Sequence, residues 1–142
     1  MEIPANAFTT TIQVRVNDTD MFGHMNNARY VSLLEAARMD WSRALQERYD
    51  RTRLRAIMAH VEVNYLRAIT LEHEVACTFW VSKIGTKSYT MSYVIHPHDQ
   101  LEMAFATAKT VLVTFDFNDH QSIPIPEWYL IILREFYSEM DI

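Results

Sequence analysis

Glycine is nearly missing from this chain: Gly23 and Gly85 are the only two among 142 residues. There is no Ser/Gly tract, internal repeat or low-complexity run at which the chain could be divided, and its length suits one hydrophobic core. We expect a single domain over residues 1–142 that ends in a helical tail. Cysteine occurs once, at Cys77, which excludes an intrachain disulfide and suits a reducing compartment, the cytoplasm. The opening MEIPANAFTTT has neither the basic start nor the apolar core of a secretory signal. Long apolar runs are missing too. The most apolar stretch, Trp128 to Leu133, falls far short of the roughly 18 residues a membrane span needs. Basic charge is in deficit, with 13 Lys and Arg against 18 Asp and Glu and a net charge of −5. That balance argues against a sequence-independent grip on nucleic acid, so an anionic ligand has to meet a local basic patch.

What is present is a clear order of periodicities. From Thr9 to Val16, Ile12, Val14 and Val16 alternate with Gln13 and Arg15, which predicts a half-buried strand. Ala28 to Leu45 has helical spacing, with Tyr30, Val31, Leu33, Leu34, Ala37, Trp41, Ala44 and Leu45 on one face and Arg38 at its edge. Ile57, Ala59, Val61, Val63 and Tyr65 then alternate with His60, Glu62 and Asn64. Glu74–Ile84 and Lys87–His96 flank Gly85 and read as a hairpin. Glu102 to Phe117 is the longest expected strand, with Ala104, Ala106 and Ala108 on the face opposite Met103, Phe105, Val111, Val113, Phe115 and Phe117. Pro126 suits the first turn of a C-terminal helix from Glu127 to about Glu139. One strand, one long helix, four antiparallel strands and a terminal helix make an α+β fold.

Between the first strand and the helix, residues 17–27 gather Asp18, Asp20, Gly23, His24, Asn26 and Asn27. A helix N-terminus supplies unpaired N–H groups and partial positive charge, suited to a carbonyl or an oxyanion. A carboxylate just upstream can attack that carbonyl or take a proton from water. Gly23 permits a turn or a close approach to ligand. The same residue types also build an ordinary capped loop, and composition alone leaves both readings open.

The run from Arg15 to Tyr30, continuing through Glu35-Ala36-Ala37-Arg38, resembles the signature of the 4-hydroxybenzoyl-CoA thioesterase family. It looks particularly like the branch acting on fatty acyl-CoA, in which Gly-His-x-Asn-Asn-x-x-Tyr opens the central helix. His60 to Arg67 is similar to that branch's next strand, with Ala68 where many relatives carry proline. The resemblance implies a hotdog fold, an antiparallel sheet wrapped around the long helix, from about Thr9 to Phe117. It implies hydrolysis of acyl-CoA to carboxylate and CoA without metal or redox cofactor, in a homodimer or homotetramer that binds CoA at subunit interfaces.

By the same resemblance Asp20 takes the catalytic aspartate's place and the Asn27 backbone N–H the carbonyl-polarising role. Gly23, His24 and Tyr30 fall at the substrate side, and Arg67, Lys83 and Lys87 are placed to meet CoA phosphates. For each there is a plain structural alternative: His24 satisfying loop backbone, Tyr30 in the core, the lysines on a solvated strand edge. Glu35 is the reserve carboxylate. Hotdog hydratases separate Asp and His by four residues, whereas Asp20 and His24 have three between them, which disfavours enoyl-CoA hydration. Cys77 reads as core packing, and the remaining histidines show no zinc-like spacing. The rival from another class is a non-catalytic acyl-CoA or acyl-carrier-protein binder.

Overall fold

A computed structural model describes residues 1–50, 52 and 54–142. Its elements are β1 (Phe8–Ile12), α1 (Arg29–Leu45), β2 (Arg55–Tyr65), β3 (Val75–Ile84), β4 (Ser88–Pro97), β5 (Ala106–Asp116), β6 (Gln121–Ser122) and α2 (Glu127–Glu135). The strands form one antiparallel sheet in the order β1-β3-β4-β5-β2, with β6 added to the end of β5. The fold is the expected α+β hotdog, with the curled sheet cupping the central helix.

α1 follows the predicted stripe closely. Tyr30, Leu33, Leu34, Ala37, Trp41 and Leu45 are buried and join Phe79, Met91, Tyr93 and Ile95 of the sheet in the main core. On β5 the even positions Ala106, Ala108, Thr110, Leu112 and Thr114 are buried. Ala106 and Ala108 join the main core. Ala104, expected on their face, packs with Trp80 and Val94 in a separate cluster, and Phe105, expected opposite, joins the main core, because both precede the strand.

Two bulges shift the phase elsewhere. In β2 the pairing passes from Met58↔Leu112 to His60↔Val111, leaving Ala59 as an extra residue. One added residue turns every side chain beyond it to the other face. Ala56, Met58, Val61 and Val63 therefore pack on the core, while Ile57 and Ala59, expected inside, face out. β3 has a similar irregularity between Val81 and Lys83.

β1 ends at Ile12, before the predicted Val16, because its partner on β3 runs only to Val75 there. β5 starts at Ala106 rather than Glu102, since Leu101–Met103 makes a single 3-10 turn. α2 stops at Glu135, short of Glu139, because the chain beyond it joins the sheet. Val81 N–H donates to Phe136 O (2.9 Å) and Ser138 N–H to Val81 O (3.0 Å), beyond the point where β1 leaves β3. The C-terminus then covers the outer face, where Trp80 Nε1 donates to Met140 O at 2.9 Å. Among the described residues no helix is long and apolar enough to cross a membrane.

Register gives the sheet two distinct ends. Ile12, Tyr65, Val75, Pro97 and Ala106 lie at one; Arg55, Ile84, Ser88 and Phe115 lie at the other. The loop carrying Asp18 to Asn27 leaves from the first of these.

Candidate active site

The loop folds as a tight hairpin. Thr19 bridges Met25, Asp20 N–H donates to His24 O (2.8 Å) and Gly23 N–H donates to Asp20 O (3.1 Å). Gly23 makes the turn at φ +76, the left-handed region that glycine adopts without a Cβ penalty. The hairpin is tied to the sheet end through Met25 N–H on Ile69 O (2.7 Å) and a bridge from His24 to Thr70.

The two aspartates have divided tasks. Asp18 is buried; its Oδ2 accepts the Arg15 N–H at 2.9 Å, and Arg15 Nε stands 3.6 Å away. Its carbonyl accepts the Asn26 N–H at 2.8 Å. Asp20 is exposed, and its Oδ1 accepts N–H groups from Phe22 (2.8 Å) and His24 (3.3 Å). Its Oδ2 has no partner among the described residues. One oxygen thus orients the carboxylate and the other is left for solvent or ligand.

The start of α1 is equally selective. Ala28 N–H donates to the Asn26 side-chain Oδ1 (3.0 Å), Arg29 N–H to Asn26 O (2.8 Å), and Tyr30 N–H to Asn27 O (3.4 Å). The Asn27 N–H donates to no acceptor among the described residues. It is the unspent donor at the helix start, where the peptide dipoles leave partial positive charge. The Asn26 side chain closes the turn that leads into the helix, and nothing in the sequence distinguishes it from its neighbour Asn27. A second contributor that the sequence did not single out is Tyr65, whose hydroxyl donates to Asn27 O at 3.1 Å. Its only sequence signal was membership of the strand that follows the helix.

The other expected residues divide by place. His24 is exposed and contributes its backbone to the hairpin. Tyr30 is buried, its ring edge-on to Tyr65 at 4.8 Å and 88°, and burial pushes its phenol pKa up. Arg67 remains at the loop end, close in sequence to Ile69, with Nη1 on Met103 Sδ at 3.3 Å. It lines a cleft of about 380 Å³ with His73, His98 and Phe105. Lys83 and Lys87 are exposed at the opposite end of β3 and β4, so one chain does not bring them to Asp20. Glu35 lies on the flank of α1, along a different cleft. Cys77 is fully buried, and desolvation raises its thiol pKa to about 12. No three His, Cys, Asp or Glu side chains gather as a metal set among the described residues.

Residues 14–133 match the Thioesterase-like superfamily. Long-chain acyl-CoA thioesterase FadM of Escherichia coli (strain K12) is 30% identical over 115 residues, 75% of this chain and 79% of that protein. The uncharacterized protein YsmA of Bacillus subtilis (strain 168) is 28% identical over 88 residues, 62% of this chain but only 60% of YsmA's length. Among solved structures, a predicted thioesterase from Bacillus stearothermophilus superposes with TM-score 0.82 at 27% identity, covering 95% of this chain and 99% of that one. A Thermus thermophilus thioesterase complexed with coenzyme A and Zn gives TM-score 0.77 at 26% identity, covering 92% of this chain and 93% of that one.

Proposed function

The chain belongs to the thioesterase-like superfamily, and we propose that it hydrolyses the thioester of an acyl-CoA to free carboxylate and CoA. The observation that carries the proposal is the pairing of two unspent groups on one loop. These are the Oδ2 of Asp20, held by its own Oδ1 contacts, and the N–H of Asn27 at the helix start. The Asn27 N–H polarises the thioester carbonyl and stabilises the negative charge that develops on its oxygen. Asp20 Oδ2 adds to the carbonyl carbon, or takes the proton of a water that adds there. Collapse of the tetrahedral adduct expels the CoA thiolate; where Asp20 itself has added, this leaves a mixed anhydride that water then hydrolyses to the free carboxylate, regenerating Asp20. A thiol pKa near 8.5 makes the thiolate a good leaving group without a strong general acid, so His24 need not supply a proton.

Arg67, beside the loop, is the proposed contact for a CoA phosphate, and Gly23 lets the substrate approach the hairpin closely. Tyr30 serves as the packing partner that holds Tyr65 in place. The proposed assembly is a homodimer or homotetramer. Among the described residues β2 pairs only with β5, and its other edge, with Ile57 facing out, is open to a second copy. Lys83 and Lys87 act at a CoA bound to another copy, since their own chain holds them away from Asp20. A cytoplasmic setting goes with this substrate and with a single unpaired cysteine.

The test is free-thiol release from a panel of acyl-CoAs by the purified protein, read with a thiol-reactive chromogen. Cys77 is buried with its thiol held protonated, so the signal reports CoA. Stabilisation by acyl-CoA without thiol release identifies a binder and overturns the enzymatic reading.

A further inference from the structure

A cleft of about 630 Å³ runs along the flank of α1, facing β2, β4 and β5. It begins at Val31, one turn past Asn27, and reaches Ser42. From Asn27 to Arg38, eleven residues along the chain, the rise at 1.5 Å per residue is about 16 Å, the length of an extended chain of roughly a dozen atoms. Part of the wall is apolar, from Leu54, Met58 and Leu112.

The polar part of the wall is rich in donors and poor in acceptors. Arg38 is half-buried, and its Nη1 donates to the hydroxyl of buried Tyr93 at 3.0 Å. No carboxylate pairs with it among the described residues. Asp40, the next acid along the helix, is taken by Arg43 (3.2 Å) and by the Thr10 hydroxyl (2.8 Å). Trp41 lines the cleft, and its Nε1 is a buried N–H with no acceptor among the described residues. Tyr89 and Tyr129 share one hydrogen bond of 2.6 Å between their buried hydroxyls. That bond uses one phenol proton of the two. Among the described residues the wall carries one carboxylate, Glu35, which is exposed. Buried donors without acceptors are costly, so a binding cleft that carries them favours a ligand bringing acceptor oxygens.

We infer that the acyl group accepted by this cleft ends in a carboxylate that binds Arg38, making Arg38 the specificity-determining residue for an ω-carboxyacyl thioester. The inference rests on the hydrolase reading above.

The experiment compares dodecanoyl-CoA with the mono-CoA thioester of dodecanedioic acid. The wild-type protein is expected to favour the ω-carboxy substrate in kcat/KM by about 10-fold or more, the worth of one hydrogen bond to a charged group. Arg38→Met brings that ratio to one or below, whereas Arg38→Lys retains part of it. Trp41→Phe, which removes the buried N–H that has no acceptor among the described residues, gives a second reading of the same wall if Arg38→Met does not fold, and it too lowers the ratio. Thiol release from both substrates at equal efficiency, or better from dodecanoyl-CoA, overturns the inference and leaves the hydrolase reading standing. If neither thioester is cleaved, the hydrolase reading fails and thermal stabilisation by the free acids decides. Stabilisation by dodecanedioate beyond dodecanoate, lost in Arg38→Met, supports the inference; equal or no stabilisation overturns it.

Discussion

The hydroxyl of Tyr65 donates to the carbonyl oxygen of Asn27 at 3.1 Å, joining the last residue of β2 to the peptide that opens α1. The bond restrains the Asn27 carbonyl, while the adjacent ring is set by edge-to-face contact with Tyr30 at 4.8 Å. A sheet residue thereby steers a helix-start peptide 38 positions away in sequence. Tyr65 is assigned a positioning role, because its hydroxyl acts on Asn27. Tyr65→Phe keeps the ring contact and removes the hydroxyl. We expect kcat to fall about 10-fold with KM little changed, less than the roughly 100- to 1000-fold loss typical when an oxyanion donor itself is removed. A change confined to KM would assign Tyr65 to substrate binding instead.

Asp20→Asn tests the proposed reactive group with little disturbance of the loop. The amide oxygen can still accept from Phe22 and His24, the contacts Oδ1 makes now, while nucleophilic and basic character is lost. Thiol release is expected to drop by about 100- to 10,000-fold, the usual worth of a positioned proton acceptor, with an unchanged thermal midpoint. Asp18→Asn should behave differently. Its carboxylate is spent on Arg15 inside the loop, so its loss lowers stability together with activity. Full turnover by Asp20→Asn removes Asp20 from the mechanism.

Much of this architecture is legible in the chain because it depends on local periodicity. The stripe from Tyr30 to Leu45, the Gly85 hairpin and the alternation of Ala106 and Ala108 each follow from residues close in sequence. The misplacements have nonlocal causes. Ile57 and Ala59 turn outward because a bulge in β2 is defined only against its partner β5. Helical propensity beyond Glu135 is overridden by pairing of the chain with Val81. The separation of Lys83 and Lys87 from Asp20 follows from strand register, and the Tyr65–Asn27 bond from two distant stretches of sequence meeting. At the candidate site the residue types were legible, but the distinction between spent Asp18 and unspent Asp20 needed the hydrogen bonds.

Gly23→Ala isolates a backbone effect. The residue sits at φ +76, and nothing lies within 4 Å of where a Cβ would be. Steric clash is therefore excluded as a cause, leaving only the left-handed conformation, which costs an L-residue about 1–2 kcal/mol. We expect a loss of that size from the denaturant midpoint at constant m-value. Gly23→Asn should lose less, because asparagine tolerates the same region. Equal losses for both would point to a contact rather than to the backbone.

Alkaline pH should weaken the fold through groups that burial keeps protonated. Cys77 rises from an unfolded value of 9.0 to about 12, chiefly by desolvation, with the Arg38 charge opposing. Tyr89 and Tyr129 are raised above 10.0, also chiefly by desolvation. In each case the unfolded chain releases its proton first, so above the unfolded pKa the native state binds more protons and stability falls as pH rises. The Cys77 contribution is complete below about pH 9 and is lost progressively towards about pH 12, with the tyrosines adding to the loss above 10.0. Between about pH 8 and 11 the cysteine alone accounts for about 2–3 kcal/mol. Urea unfolding of Cys77→Ala across that range is the check. The variant is expected to be less stable near neutral pH, because it leaves a small cavity, but to show a shallower alkaline decline. An unchanged slope would mean that Cys77 ionises as readily in the native state as in the unfolded chain.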